Sequence, residues 1–202
     1  TLVHSIEAIN ECWQRWADKA GVDIDLVMRT HPGRRMLDTI RIVAPHLDAE
    51  AEAVHVTALE TSIFTNLRPM PTAFDILTTL PVDRWAIVTS GSTIIATMRM
   101  MHTHLPMPTV MVTSKDVTYG KPAPDPFILA AQRLGQPAAQ CVAFEDAPSG
   151  IRSAKTAGMT VIGLATTHSA DELHEADVVV AGLDCVKVAV NDHGQISVYL
   201  TH

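Results

Sequence analysis

Apolar residues recur at helical spacing through the first third of the chain. Ile6, Ile9, Trp13 and Trp16 stand three or four positions apart, which puts them on one helix face, and Gly21 supplies a stop. A second helix is predicted from Arg34 or Arg35 to Val43, ahead of Pro45, and a third from Ala49 to Phe64. Pro69 and Pro71 then interrupt the pattern. No strand is predicted before residue 84.

From residue 85 short apolar runs alternate with helical stretches. Strands are predicted at 85–88, 110–112, 141–144, 159–163 and 178–181. Helices follow the first three: one to about His102, one opened by Asp125-Pro126 and ended by Gly135, and one running to Ala157 before Gly158. Residues 188–190 and 196–200 read as a hairpin around Asn191-Asp192-His193-Gly194. Strand–helix alternation implies parallel βαβ units and an α/β fold. The helical block then reads as an insert or cap, residues 11–75, beside a core made of residues 1–10 and 76–202.

In such sheets, sites form where strands end at their carboxyl side. Three polar clusters follow three of the predicted strands. Thr89-Ser90-Gly91-Ser92 offers hydroxyls and free N–H groups at a helix start, which suits a phosphate and equally an ordinary helix cap. Lys121, between Gly120 and Pro122, can set an ammonium against a phosphoryl oxygen or a carboxylate, or simply be solvated in its loop. Glu145-Asp146 is an acidic pair after an apolar run, costly to bury without a positive partner, and its hard oxygens suit Mg²⁺; a helix dipole would also favour it. Hydroxyl, lysine and acidic pair in that order describe a phosphoryl-transfer site lacking a nucleophile. In the helical block, His31-Pro32-Gly33-Arg34-Arg35 is a candidate substrate loop, with Arg34 preferred over Arg35 as the donor.

Composition narrows the partners. The formal charge of −7 leaves no basic surplus to neutralise nucleic-acid phosphates, yet permits a small phosphorylated substrate. Cys12, Cys141 and Cys185 are isolated, which fits a reducing, cytoplasmic setting without zinc or disulfides. No apolar run reaches the length of a membrane span. The histidines show no zinc spacing, and Met98, Met100, Met101 and Met107 read as core or interface filler. A monomer or a homodimer is expected.

These motifs resemble the haloacid-dehalogenase superfamily. Thr1-Leu2-Val3-His4-Ser5 looks like the tail of its first motif, Asp-x-Asp-Gly-Thr-Leu-Val-x-Ser; residues 89–92, Lys121 and Glu145-Asp146 resemble the second, third and fourth. Residues 85–92 and 142–150 are similar to the branch of small sugar-phosphate and glycerol-phosphate phosphatases that includes 2-deoxyglucose-6-phosphate phosphatase, with β-phosphoglucomutase-like enzymes beside it. The resemblance implies a Rossmann-like parallel sheet with an inserted helical cap. It also implies a nucleophilic aspartate and an acid–base aspartate, both ahead of Thr1. Carried over by position, Ser90 would bond the transferring phosphoryl group, with Thr89 and Gly91 shaping the turn. Lys121 would offset its charge, and Asp146 would bind Mg²⁺ with Glu145 as a ligand or a partner behind it. The activity implied is Mg²⁺-dependent hydrolysis of a sugar or polyol phosphate. A sugar phosphomutase, or a non-catalytic chain without the nucleophile, are the alternatives.

Overall fold

The computed structural model describes residues 1–201. Helix α1 (Ile6–Ala20) buries Ala8, Cys12, Trp13, Trp16 and Ala17 along one face, and Gly21, at φ 68°, returns its N–H to the Ala17 carbonyl. Helices α2 (Ile24–Thr30), α3 (Met36–Val43) and α4 (Ala49–Glu60) pack with α1 around a shared apolar core. Trp16, Val27, Ile40 and Val56 are the largest of its fully buried members. The indole N–H of Trp16 donates to Glu52 at 2.7 Å, so the ring is buried without an orphaned donor.

Two departures from the sequence expectation fall in this region. Strands β1 (Val3–His4) and β2 (Arg68–Pro69) pair antiparallel, although no strand was expected there. At two residues each, they show no alternation that could betray them. Helices α2 and α5 (Ala73–Thr79) are seven residues long, too short for a helical period to establish itself in the sequence.

The remainder is α/β. Strands β3 (Ala86–Val88) and β4 (Val110–Val112) are parallel neighbours. So are β5 (Val142–Glu145), β6 (Thr160–Leu164) and β7 (Val178–Val180), in that order. Helix α6 (Thr93–His102) follows β3, α7 (Asp125–Arg133) follows β4 and α8 (Pro148–Thr156) follows β5. A hairpin, β8 (Val186–Val190) and β9 (Ile196–Leu200), ends the description, its turn held by the Asn191 side chain accepting from the N–H groups of His193 and Gln195.

Alternation along the strands feeds two apolar clusters. Ile87, Phe144 and Ile162 join Trp85, Met100, Leu164 and Leu183 on one side. Val88, Ala143 and Val161 join Phe127, Ile151 and Leu173 on the other. Both faces of the strands are thus covered, as parallel sheets require. The two halves of the sheet, β4–β3 and β5–β6–β7, share no backbone hydrogen bonds with each other. Residues 85–92 and 140–147 all line one cavity of about 1450 Å³, which therefore runs along the facing edges of β3 and β5.

Candidate active site

The carboxyl ends of β3 and β5 meet at one ammonium. Lys121 reaches from the loop after β4, donates to the Val88 carbonyl at 3.1 Å and forms an ion pair with the Glu145 carboxylate. The ammonium also lies 5.0 Å from the centre of the Phe127 ring. Both charged side chains are about 7% exposed. Glu145 fits there because residue 150 is glycine: a Cβ at Gly150 would overlap its carboxylate. Lysine and glutamate are thus each other's compensation in a dry site.

After β3 the chain turns at residues 89–92. The Thr89 hydroxyl accepts the N–H of Gly91 at 3.1 Å, and Ser92 caps α6 by accepting from Ile95 at 3.4 Å. Ser90 is left to point into the cavity, where its hydroxyl donates to the Gly33 carbonyl at 2.7 Å. Gly33 belongs to the 31–35 loop between α2 and α3, so the candidate substrate loop sits on the hydroxyl turn.

Asp146 follows β5 and is partly buried. Its Oδ1 receives the Thr1 ammonium at 3.2 Å and the Thr1 hydroxyl at 2.5 Å; its Oδ2 receives the Thr167 hydroxyl at 2.9 Å. Burial pushes this carboxyl up, but the Thr1 ammonium and the hydroxyls of Thr1 and Thr167 prevail and bring it down to about 2. The share carried by the ammonium holds for a chain that begins at Thr1. The Thr1 and Thr167 hydroxyls favour the ionised carboxylate of Asp146. Its hard oxygens fit a divalent cation, whereas the Glu145 carboxylate is taken by Lys121. Among the described residues no three His, Cys, Asp or Glu side chains converge on one point, so such an ion would find one ready carboxylate here.

The structure thus brings Thr89, Ser90, Gly91, Lys121, Glu145 and Asp146 to one cavity. Arg34 lines that cavity as well, but it is exposed and makes no side-chain hydrogen bond among the described residues. Arg35 is instead the arginine committed to the core, donating to the Val117 and Thr118 carbonyls at 3.2 and 2.9 Å.

Two histidines join the site: His31, the first residue of the candidate substrate loop, and His168, which was not singled out. His168 shares a 2.8 Å hydrogen bond between its Nδ1 and the Asp146 carbonyl. His31 is buried and stacked on Trp13, with ring centroids 5.8 Å apart. Burial, with His168 near it, lowers His31 to about 4. Thr166-Thr167-His168 lies just past β6, so it forms a fourth polar cluster after a strand. That position was the available signal.

The chain matches haloacid dehalogenase-like hydrolases over residues 1–158. It is 35% identical to hexitol phosphatase A of Escherichia coli, with 97% of this chain and 93% of that protein aligned. It is 32% identical to glycerol-1-phosphate phosphohydrolase 2 of Saccharomyces cerevisiae, with 93% and 81% aligned. The β-phosphoglucomutase of Clostridium difficile shares the fold, with a TM-score of 0.82 at 16% identity over 93% of this chain and 89% of that one. With a match spanning three of the four polar clusters and relatives aligned along nearly the whole length, the chain belongs to the haloacid dehalogenase-like hydrolase family.

Proposed function

We propose that the protein is a Mg²⁺-dependent phosphatase of small sugar or polyol phosphate monoesters, acting through an aspartyl-phosphate. The observation that supports this reading is the meeting of the Ser90 hydroxyl, a buried ammonium and the Asp146 carboxylate at one cavity, past the ends of β3, β4 and β5. The phosphatases among its relatives supply the substrate class: hexitol and glycerol-1-phosphate esters are what two of them are named for.

In this reading Ser90 donates to a phosphoryl oxygen, with Thr89 and Gly91 holding its turn. Lys121, oriented by Glu145, offsets charge on the phosphoryl group and on the attacking carboxylate. Asp146 would hold the Mg²⁺, with Glu145 adjoining, and the ion when bound would shield the phosphoryl oxygens. The nucleophilic and acid–base aspartates would be those of an Asp-x-Asp-Gly segment joined to Thr1. Attack by the first forms the P–O bond of the aspartyl-phosphate and expels the alkoxide, which takes its proton from the second. Water, giving a proton back to that second aspartate, then releases inorganic phosphate. The α1–α4 unit serves as the cap, with Arg34 at its rim toward the substrate.

The test is phosphate release from hexitol, hexose and glycerol phosphates by the protein bearing an Asp-x-Asp-Gly segment before Thr1. Hydrolysis should need Mg²⁺ and stop with a chelator, and Asp146→Ala should lower it by about a thousandfold. Normal hydrolysis by that variant would remove Asp146 from the machinery. Interconversion of sugar phosphate isomers without phosphate release would make the protein a mutase.

A further inference from the structure

The 31–35 loop touches the segments that carry three of the four polar clusters at once. The Gly33 carbonyl accepts the Ser90 hydroxyl at 2.7 Å. The Pro32 carbonyl accepts Ser149, just past the acidic pair, at 3.5 Å, and a Cβ at Gly33 would overlap the Ser149 hydroxyl. Gly33 has φ 72°, so the backbone there already excludes an ordinary side chain.

Arg35 fastens the third point. Its Nε and Nη2 grip Asp38 at 2.7 and 3.0 Å, and its Nη1 bonds the Val117 and Thr118 carbonyls of the loop leading to Lys121. Its stem lies flat on Gly120, where a Cβ would come within 2.7 Å of the Arg35 Cδ. One side chain from the helical unit therefore packs on the residue before the buried lysine.

We propose that Arg35 is a positioning residue that latches the 31–35 loop onto the core, where the Gly33 carbonyl holds the Ser90 hydroxyl until a phosphate takes it. The inference rests on the phosphate reading of Ser90 given above. A serine hydroxyl has one proton to donate, so it serves the Gly33 carbonyl or a phosphoryl oxygen, never both. Binding must then lift the loop, and the apparent affinity is reduced by the fraction of molecules in which the loop is closed. The Arg35 fork sets that fraction. Lysine cannot reproduce it, because its single ammonium lacks the planar array that spans Asp38 and two carbonyls.

Arg35→Lys keeps the charge and loses the fork, while Asp38→Asn keeps Arg35 and loosens its clamp. Each is compared with the unmodified chain by amide hydrogen exchange and by calorimetric titration with inorganic phosphate. Both variants should exchange about tenfold faster at residues 31–40 and 117–121, with α7 and α8 unchanged. Both should bind phosphate roughly three- to tenfold more tightly. Unchanged exchange in both variants overturns the latch. Faster exchange with unaltered affinity overturns the competition at Ser90. Weaker binding with unchanged exchange would make Arg35 a direct phosphate ligand, which also overturns the proposal. If no form binds phosphate, the reading of Ser90 as a phosphate donor fails, and the exchange result still decides the latch.

Discussion

Lys121 carries two obligations, and a single substitution confounds them. Its ammonium is the compensation for the Glu145 carboxylate, and both side chains are almost dry. Removing one partner of a buried pair leaves an uncompensated charge, which costs about 3–5 kcal/mol. Lys121→Ala should therefore lose turnover by several orders of magnitude and lose that much stability as well. Adding Glu145→Gln should restore most of the stability and none of the turnover. Urea midpoints beside phosphate-release rates check this, and a double variant as unstable as the single one would show that the pair is not what the site depends on. The sequence made the lysine and the acidic residues visible separately. Their pairing was not legible, because the partners are 24 positions apart and only the tertiary fold brings the loop after β4 against the end of β5. Nor could the sequence rank Arg34 against Arg35. Which of two adjacent arginines turns to the core depends on how α3 begins, and Arg35 is the residue standing at its N-cap.

At the scale of elements, α1 and the 31–35 loop meet through the stack of Trp13 on His31. Burial and the neighbouring His168 hold His31 near 4, against an ordinary value of 6.5. Between these values the unfolded chain takes up a proton that the folded chain refuses. Stability is then whole above pH 6.5, falls as pH drops toward 4, and loses up to about 3 kcal/mol. His31→Gln should flatten that part of a pH series of denaturation midpoints, leaving the loss from Asp146, which belongs to lower pH, in place. A slope unchanged by the substitution would mean that His31 is open to water in solution. Long periodic elements were readable in advance: α1, α3, α4 and the βαβ alternation from residue 85 lie within a few residues of their expected places. The third helix ends at Glu60 rather than Phe64, and α2, α5, β1 and β2 were invisible because each is shorter than the pattern that identifies such elements. Thr167 and His168 were missed for a different reason. Their chemistry comes from standing past β6 beside Asp146, and no spacing rule within that segment reports a neighbour in space.

At the scale of the molecule, the sheet is divided. Strand β3 has β4 on one side only, β5 has β6 on one side only, and the cavity follows both free edges. Residues 86–88 are merely half-buried, because the free edge of β3 opens onto the cavity although both its faces are covered. The Trp85 indole N–H is buried without a partner. Below the three polar clusters the cavity wall is apolar, with Ile87, Val88, Ala143, Phe144, Leu77 and Met100 contributing. A parallel strand laid between β3 and β5 would satisfy both ladders and seal this wall. Its carboxyl end would emerge among Lys121, Ser90 and Asp146, where the proposed mechanism needs a nucleophile and where Thr1 already lies against Asp146. A short apolar strand ending in Asp-x-Asp-Gly, joined directly to Thr1, should therefore raise the urea midpoint. Sealing two apolar side chains in the slot contributes about 3 kcal/mol or more. It should also slow amide exchange in β3 and β5 and confer phosphate release. With asparagine in place of the first aspartate, the stability and exchange effects should persist while turnover disappears, which separates the structural role of the strand from the chemical role of its carboxylate. If the extended chain were no more stable than the shorter one, and exchange in β3 and β5 unaltered, the slot would not be the seat of that strand and the nucleophile would have to enter from elsewhere.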